Sequence, residues 1–299
     1  MRYGIVFGIL CLAGCAPVGP DFVRPDTPAN PAWLEAELDE FGVNEPELAN
    51  WWQRLDDPVL DGLIETALAN NNNLRIAGLR VLESQANLNI ATGLQWPQQQ
   101  VVVGDATAVG ASESNANTTA GDLSFTQFNL GASVSWEIDF WGRFRRGIEA
   151  ADAGYLASVA SYDEFTVLLI AQVATTYTAI LAAEEQLRLA EESAAIQRRS
   201  YEIVDVLYRN GDSSELDALQ AETLLLSTEA VIPGLKTSLQ QAKNALSVLL
   251  GLPPSDIEPM LGPKRVLPDL PDDVSVGIPA NLLRQRPDIR QAELQAIAQ

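Results

Sequence analysis

The sequence predicts a mainly α-helical fold of long antiparallel helical hairpins, with one β-hairpin of the length that crosses a membrane. Residues 155–210 contain neither Gly nor Pro and are rich in helix-forming residues, which makes the run longer than an ordinary globular helix. Residues 129–140 instead alternate between apolar and polar side chains, over the length that a tilted membrane strand needs.

The N-terminus has the features of a secretory signal. Arg2 precedes an apolar core, and the small-residue motif Leu-Ala-Gly-Cys ends at Cys15. This motif resembles the lipobox of bacterial lipoproteins, which predicts removal of residues 1–14 and attachment of lipid, including palmitate, to Cys15. An ordinary secretory signal with a chance cysteine is the alternative. Since Cys11 leaves with the signal, the mature chain cannot form an internal disulfide.

The next segments are a tether and a first long helix. Residues 15–58 are rich in proline and lack a regular period, which predicts an extended tether. Trp33, Trp51 and Trp52 are expected to pack this tether down. A helix is predicted over residues 59–97, with a break at the asparagine run 70–73 because Asn disfavours helix interiors.

Residues 98–141 are predicted to form a transmembrane β-hairpin with an exposed loop near residues 113–125. The second strand is predicted over residues 129–140. Its apolar face contains Leu130, Val134, Trp136, Ile138 and Phe140. Its polar face contains Ser133, Ser135, Glu137 and Asp139. The alternative is an amphipathic hairpin lying on a soluble core, although a lone hairpin is not stable in water.

Residues 142–250 are predicted to form a long helical hairpin with its tip near residues 209–213. Apolar and small residues recur at heptad spacing, as in an antiparallel coiled coil. Charged residues such as Asp163 and Glu184 are expected to exclude a membrane span. The Pro233-Gly234 pair is expected to kink the returning helix or to divide it in two.

The end of the sequence repeats its beginning. Residues 251–279 form a second proline-rich connector, and residues 280–299 are predicted to start a second structural repeat. Residues 283–294 line up with residues 68–79. We therefore expect a chain truncated after its first repeat; the alternative is a hexamer of single-repeat chains.

Composition excludes several functions. A net charge of −21 argues against nucleic-acid binding. The chain has no His and no mature Cys beyond Cys15, so thiol catalysis and the usual imidazole or thiolate metal sites are not expected. The sequence predicts neither an enzyme nor a cofactor.

Ordered motifs along nearly the whole chain resemble the TolC-like outer-membrane efflux family, in its NodT-type lipoprotein branch of RND efflux outer-membrane factors. The motifs are the lipobox, Val18-Gly19-Pro20-Asp21-Phe22, Trp51-Trp52 ahead of Leu55-Asp56-Asp57-Pro58, Ser135 to Arg143, Tyr208 to Glu222, and Asn244-Ala245-Leu246 with Leu249-Leu250-Gly251.

This resemblance implies a lipid-anchored outer-membrane protein with a large periplasmic part. It implies a homotrimer whose helices form an α-barrel and whose strands form a shared transmembrane β-barrel. Such a duct passively conducts small molecules exported by an inner-membrane RND-type pump through a periplasmic adaptor. The docking tip for the adaptor would include Tyr208, Gly211, Leu216 and Ala221. The lumen would be lined by Ser133, Ser135, Glu137 and Asp139, and outer-membrane lipid would contact Leu130, Val134, Trp136, Ile138 and Phe140.

Two alternatives stay open at this point. In the first, the chain is a lipid-anchored periplasmic coiled-coil stalk that conducts nothing. In the second, it is a duct for type I protein secretion. The alternation over residues 129–140 argues against the stalk, because a stalk has no use for a lipid-facing strand.

Overall fold

The computed structural model confirms the predicted fold class: the longest described elements are helices, and one antiparallel hairpin interrupts them. The residues that it describes are 17–25, 41–42, 50–112, 114, 123–254, 257–263, 266–268, 274–275, 283 and 285–299. The chain divides into two compact units, which are considered separately: the first is Met1–Pro25, Val81–Ser158 and Gln291–Gln299, and the second is Asp26–Arg80 and Val159–Arg290.

Helices account for most of the described elements. A short 3-10 helix at Trp51–Leu55 precedes the first of them. The α-helices are α1 (Pro58–Asn70), α2 (Asn72–Gly93), α3 (Arg143–Arg209), α4 (Glu215–Leu249), α5 (Glu258–Leu261) and α6 (Pro287–Ala298). With 67 residues, α3 is roughly 100 Å long at 1.5 Å per residue.

Within the part of the chain that the structure describes, four strands form two separate sheets. The strands are β1 (Phe41–Gly42), β2 (Gln99–Gly110), β3 (Ser124–Ser135) and β4 (Val274–Ser275). The strands β2 and β3 pair antiparallel over 12 residues each, from Gln99 opposite Ser135 to Gly110 opposite Ser124. The strands β1 and β4 pair in parallel, and nothing in the sequence of the two proline-rich segments predicted that pairing.

The hydrophobic core of the second unit joins α1, α3 and α4. Leu60, Leu63 and Ile64 of α1 are almost fully buried, as are Val173 and Ile180 of α3. Both α3 residues belong to the predicted heptad pattern. Leu246, Leu250, Ile257 and Leu261 complete the cluster from α4 onwards.

Asp57 fixes the start of α1 and links it to α3. Asp57 caps α1 by accepting hydrogen bonds from the backbone N–H groups of Val59 (2.9 Å) and Leu60 (3.2 Å). Its second carboxylate oxygen accepts from the hydroxyl of the buried Tyr177, at 2.9 Å. The capping residue is thereby tied to the middle of α3.

The break in the first helix falls at Asn71, within the asparagine run where the sequence predicted it. Asn71 has an extended backbone between α1 and α2. Its Oδ1 accepts from the N–H of Leu74 (3.0 Å) and caps α2, while its Nδ2 donates to the carbonyl of Leu249 (2.9 Å). One buried amide side chain thus satisfies the ends of two helices.

Of the two outcomes expected at Pro233-Gly234, a kink or a division of the returning helix, the division is wrong. Helix α4 runs unbroken from Glu215 to Leu249 with Pro233 inside it. A proline removes a single N–H donor from the helical ladder, and the 35-residue helix keeps its other backbone bonds. The loss of one bond does not outweigh the packing of the remaining turns against the core.

Within the described residues, α3 alone contains an 18-residue window apolar enough to cross a membrane, with a mean hydropathy of 1.7. Residues 165–183 carry no charge, so Asp163 and Glu184 flank this run rather than interrupt it. Contrary to the sequence-based expectation, charge alone does not exclude a span. Packing accounts for the run, because its Leu169, Val173 and Tyr177 lie in the hydrophobic core.

Candidate functional site

The β-hairpin has one apolar and one polar face. In an antiparallel pair, directly opposed residues lie on the same face of the sheet. The register pairs Gln100, Val102, Gly104, Ala106 and Ala108 with Val134, Ala132, Leu130, Phe128 and Thr126. Of these ten residues only Gln100 and Thr126, at the two ends, are polar. The predicted lipid-facing residues Leu130 and Val134 both belong to it.

The opposite face contains a ladder of polar side chains. Asp105 accepts hydrogen bonds from Thr107 and from Asn129, each at 3.1 Å. The amide of Gln127 donates to the side-chain oxygen of Asn129, also at 3.1 Å. The predicted lumen residues Ser133 and Ser135 lie on this face too, opposite Val101 and Gln99. The polar ladder therefore runs along the middle of the hairpin.

Large apolar side chains of the hairpin are exposed to solvent in the isolated chain. Leu130 is 86% exposed and Phe128 is 77% exposed. Such a surface is not stable in water on a two-stranded sheet, because no core covers it. The hairpin therefore requires an apolar environment on one face.

The strand prediction extends too far. Strand β3 ends at Ser135 rather than Phe140, so the predicted lipid-facing residues Trp136, Ile138 and Phe140 lie beyond it, as do the predicted lumen residues Glu137 and Asp139. Interactions with the turn after α2 and with the start of α3 replace the ladder here. They are Trp136 Nε1 donating to the carbonyl of Gln95 (3.2 Å), Arg143 Nη1 donating to Glu137 (3.1 Å), and the Arg145 N–H donating to Asp139 (3.0 Å).

The tip of the helical hairpin is a Schellman turn. Gly211, at the end of α3, has a φ of +80°. Its N–H donates to the carbonyl of Tyr208 (3.0 Å), and the N–H of Asp212 donates to the carbonyl of Leu207 (2.8 Å). A residue with a β-carbon is disfavoured at this φ, so Gly211 ends α3 cleanly.

Helix α4 begins with a capping box. The Ser214 hydroxyl accepts from the N–H of Asp217 (3.1 Å), and the Asp217 carboxylate accepts from the N–H of Ser214 (3.1 Å). Hydrogen bonds from the Ser214 hydroxyl, the Ser214 backbone and the Ser213 hydroxyl lower the pKa of Asp217. The tip is thus fixed by local bonds on both sides of Gly211.

The predicted docking residues differ in how accessible they are. Leu216 is 63% exposed and Tyr208 is 40% exposed, so both present apolar surface at the tip. Ala221 is half-buried and shares a helix face with the buried Ala218 and Leu225. Accessibility therefore favours Leu216 and Tyr208 over Ala221 as residues that contact a partner.

Sequence reasoning missed three polar residues of the hairpin, namely Asp105, Thr107 and Gln127. The first strand alternates poorly because Val101, Val103 and Val109 lie on its polar face. One signal in the sequence could have found them. Residues 129–135 alternate cleanly in β3, and this alternation assigns the faces of β2 once the register of the two strands is known. Cys15, the predicted lipidation site, lies outside the described residues.

Comparisons with known proteins agree with this arrangement. The family described as "Outer membrane efflux protein" matches residues 63–252. The chain is 29% identical to "Nodulation protein T" of Rhizobium leguminosarum bv. trifolii, over 98% of this chain and 61% of that protein. It is 32% identical to the "Probable outer membrane lipoprotein SilC" of Salmonella typhimurium, over 96% of this chain and 60% of that protein.

Solved structures give the same result. The outer-membrane channel OprN superposes with a TM-score of 0.81 at 31% identity, over 94% of this chain and 62% of OprN. The chain spans about 60% of the length of the curated relatives it matches. The match over residues 63–252 covers more than half of the chain, and the names of SilC and OprN are those of outer-membrane proteins rather than enzymes. The chain belongs to the outer membrane efflux protein family.

Proposed function

We propose that this chain forms part of an outer-membrane duct that passively conducts small molecules out of the cell. The observation that carries this proposal is the hairpin with one polar and one apolar face. A barrel strand in a membrane presents alternate side chains to lipid and to an aqueous lumen. The face of Leu130 and Val134 then contacts lipid, and the face of Asp105, Asn129 and Ser133 lines the lumen.

The barrel requires strands from other segments or other copies of the chain. Within the described residues, β2 and β3 pair only with each other, which leaves an unpaired edge on each strand. A membrane has no water to satisfy open edges, so spanning sheets close into barrels. A shared barrel in a homotrimer, as in the TolC-like resemblance, satisfies these edges.

The helical tip is the proposed docking site for a periplasmic adaptor, which in turn joins the duct to an inner-membrane pump. Leu216 and Leu219 are exposed on α4 immediately after the capping box. Two relatives have names that fit this role, the "Cation efflux system protein CusC" of Escherichia coli and the "Probable efflux pump outer membrane protein SepC" of Pseudomonas putida. Cross-linking from a photoreactive residue at position 216 tests the contact, with the buried Ala194 as the control position.

The membrane hairpin is tested by placing the same charge on its two faces. Leu130→Arg puts a guanidinium on the apolar face near the middle of β3, at an expected cost of about 2–4 kcal/mol at the midplane of the bilayer. Asn129→Arg places it on the polar face at nearly the same depth, beside Asp105. We expect Leu130→Arg to abolish outer-membrane assembly and Asn129→Arg to assemble with an altered conductance in planar bilayers.

Equal assembly of both variants would contradict the duct. It would show that neither face meets lipid and would favour the alternative of a periplasmic coiled-coil stalk. A failure of both variants to assemble, with unchanged helix content, would show that the hairpin is buried against protein on both faces.

A further inference from the structure

The segment that follows the predicted lipidation site is attached to the junction between β3 and α3. The N–H of Val18 donates to the carbonyl of Trp141 at 2.9 Å. Arg146, in the first turn of α3, donates from Nη2 to the carbonyl of Gly19 (3.2 Å) and to the Asp21 carboxylate (2.7 Å). Three hydrogen bonds therefore hold residues 18–21 against residues 141–146.

The junction is shaped to receive this segment. A β-carbon at Gly142 would lie 2.5 Å from Cβ of Pro17 and 2.9 Å from its Cα. Atoms cannot approach so closely, so any larger residue at position 142 would push Pro17 away. The absence of a side chain at Gly142 allows the close approach.

Arg146 is well suited to hold the segment. Its side chain is 26% exposed, and Nη1 also donates to Glu149 at 2.6 Å, which fixes the guanidinium on the surface of α3. With Nη1 bound to Glu149, Nη2 is oriented toward Gly19 and Asp21. A guanidinium fixed in this way loses less conformational entropy when the segment docks than a free one does.

We propose that Arg146 and Gly142 form a latch that positions the lipid anchor beside the base of the membrane hairpin. The inference rests on the proposed lipidation of Cys15 and on the proposed membrane hairpin. Cys15 precedes Pro17 by two residues in the sequence, so a lipid attached to it is tethered to the latched segment by a very short stretch of chain. The acyl chains therefore enter the bilayer next to the β3–α3 junction, and anchor and hairpin reach the membrane together.

This positioning has a consequence for assembly. An anchor on a free tether samples a large area of membrane, whereas a latched anchor holds the hairpin at the bilayer surface. Holding the hairpin close to the bilayer raises its effective concentration at the membrane. Arg146 is therefore a positioning residue for membrane insertion, and its effect depends on the lipid.

The test compares Arg146→Gln in two backgrounds, with Cys15 and with Cys15→Ser, in the protein as the cell makes it. The readout is the rate of insertion into the outer membrane after a pulse of labelled amino acids. We expect a loss of about fivefold with Cys15, because the contact is a partly exposed charged pair with added hydrogen bonds. We expect no further loss on top of Cys15→Ser. Arg188→Gln, which removes an exposed pair elsewhere on α3, is the matched control.

Asp21→Asn and a disulfide complete the design. Asp21→Asn weakens the latch without altering α3, so its expected loss does not depend on whether Arg146→Gln folds normally. Joining Val18→Cys to Trp141→Cys should restore insertion to the Arg146→Gln variant under oxidising conditions.

Three outcomes would overturn the latch. One is an equal loss in both backgrounds, which would make Arg146 a residue of structure alone. Another is no loss from Arg146→Gln or Asp21→Asn in the Cys15 background. The third is a mature chain that takes up no labelled palmitate at Cys15. Conductance of the inserted protein is measured separately, so failure of the duct is distinguishable from failure of the latch.

Discussion

Asn71 joins three helices through its side-chain amide and its backbone N–H. It caps α2 at Leu74 and binds the carbonyl of Leu249 near the end of α4, while its own N–H continues the bonds of α1 to Ala67. The residue is only 6% exposed. Water cannot replace either partner in such a site, so both partners depend on this side chain.

Replacing Asn71 by alanine should destabilise the helical unit by about 2 kcal/mol, since it removes a cap and leaves the Leu249 carbonyl without its bond. The measurement is urea unfolding of the detergent-solubilised protein, followed by circular dichroism. The neighbouring Asn72 is exposed, so Asn72→Ala should change the free energy of unfolding by less than about 0.5 kcal/mol. Equal effects of the two substitutions would contradict the double role of Asn71.

Asp217 gives the helical tip a dependence on pH. Its pKa is lowered in the folded chain by the bonds from Ser214 and Ser213, whereas an unfolded Asp titrates at about 3.9. The stabilisation is therefore fully present above about pH 4 and is lost as the pH falls through the lower folded-state pKa. Hydrogen exchange at the tip, corrected for its intrinsic pH dependence, should show protection decreasing below about pH 4.

Two variants test the assignment of this pH dependence. Asp217→Asn should remove the acid-induced loss of protection, because position 217 then has no carboxylate to protonate. Asp212→Asn, in the same turn, should leave the loss unchanged. If Asp212→Asn removes it instead, the capping box is not its source.

Among the elements, the two long helices end in the same way. Gly211 ends α3 and Gly251 follows α4, each with a φ of +70° to +80° and with Schellman bonds. Their surroundings differ. Nothing lies within 4 Å of a β-carbon at Gly211, whereas a β-carbon at Gly251 would lie 2.2 Å from the carbonyl oxygen of Asn70.

The same substitution should therefore have unequal effects at the two ends. Gly211→Ala adds only the strain of a left-handed backbone, about 1 kcal/mol. Gly251→Ala adds a clash with backbone at Asn70 and should cost about 3 kcal/mol or more. Thermal unfolding of the two variants compares them directly. A cost at Gly211 equal to that at Gly251 would contradict the packing of α1 against the end of α4.

Elements with a regular spacing of apolar residues could be predicted from the sequence. Features that depend on tertiary contacts could not. The helical run of α3 and the alternation of β3 are both visible in the chain. The end of β3 at Ser135 is not, because Trp136 and Glu137 continue the alternation while interactions with Gln95 and Arg143 replace the ladder. The continuity of α4 through Pro233 likewise depends on tertiary packing, which overrides local preference.

The candidate site was predictable to the same degree. The faces of Leu130, Val134, Ser133 and Ser135 followed from their spacing in β3. Asp105 could be assigned to the polar face only through its pairing with Asn129, because β2 does not alternate cleanly. A register is a property of two strands, and a single strand with weak alternation does not determine it.

At the scale of the whole molecule, the chain is strongly acidic, with a net charge of −21. Half of the 40 Asp and Glu residues lie on helices α1 to α6, outside the proposed membrane hairpin. Asp105 differs, since it lies at the centre of the polar face that we propose lines the lumen. Fixed charges in a pore attract ions of the opposite sign and repel those of the same sign.

Removing the Asp105 charge should therefore lower the preference of the pore for cations. At a distance of about 8 Å in water, one unit charge lowers the energy of a cation and raises that of an anion by about 0.5 kcal/mol each. Asp105→Asn should therefore lower the permeability ratio of K⁺ to Cl⁻ by about fivefold at low salt. The measurement is the reversal potential of the reconstituted duct under a salt gradient. Thr107→Val removes a hydrogen bond to Asp105 without changing charge, and should leave the ratio unchanged. A ratio that stays constant in Asp105→Asn would show that this face of the hairpin does not line the conducting path.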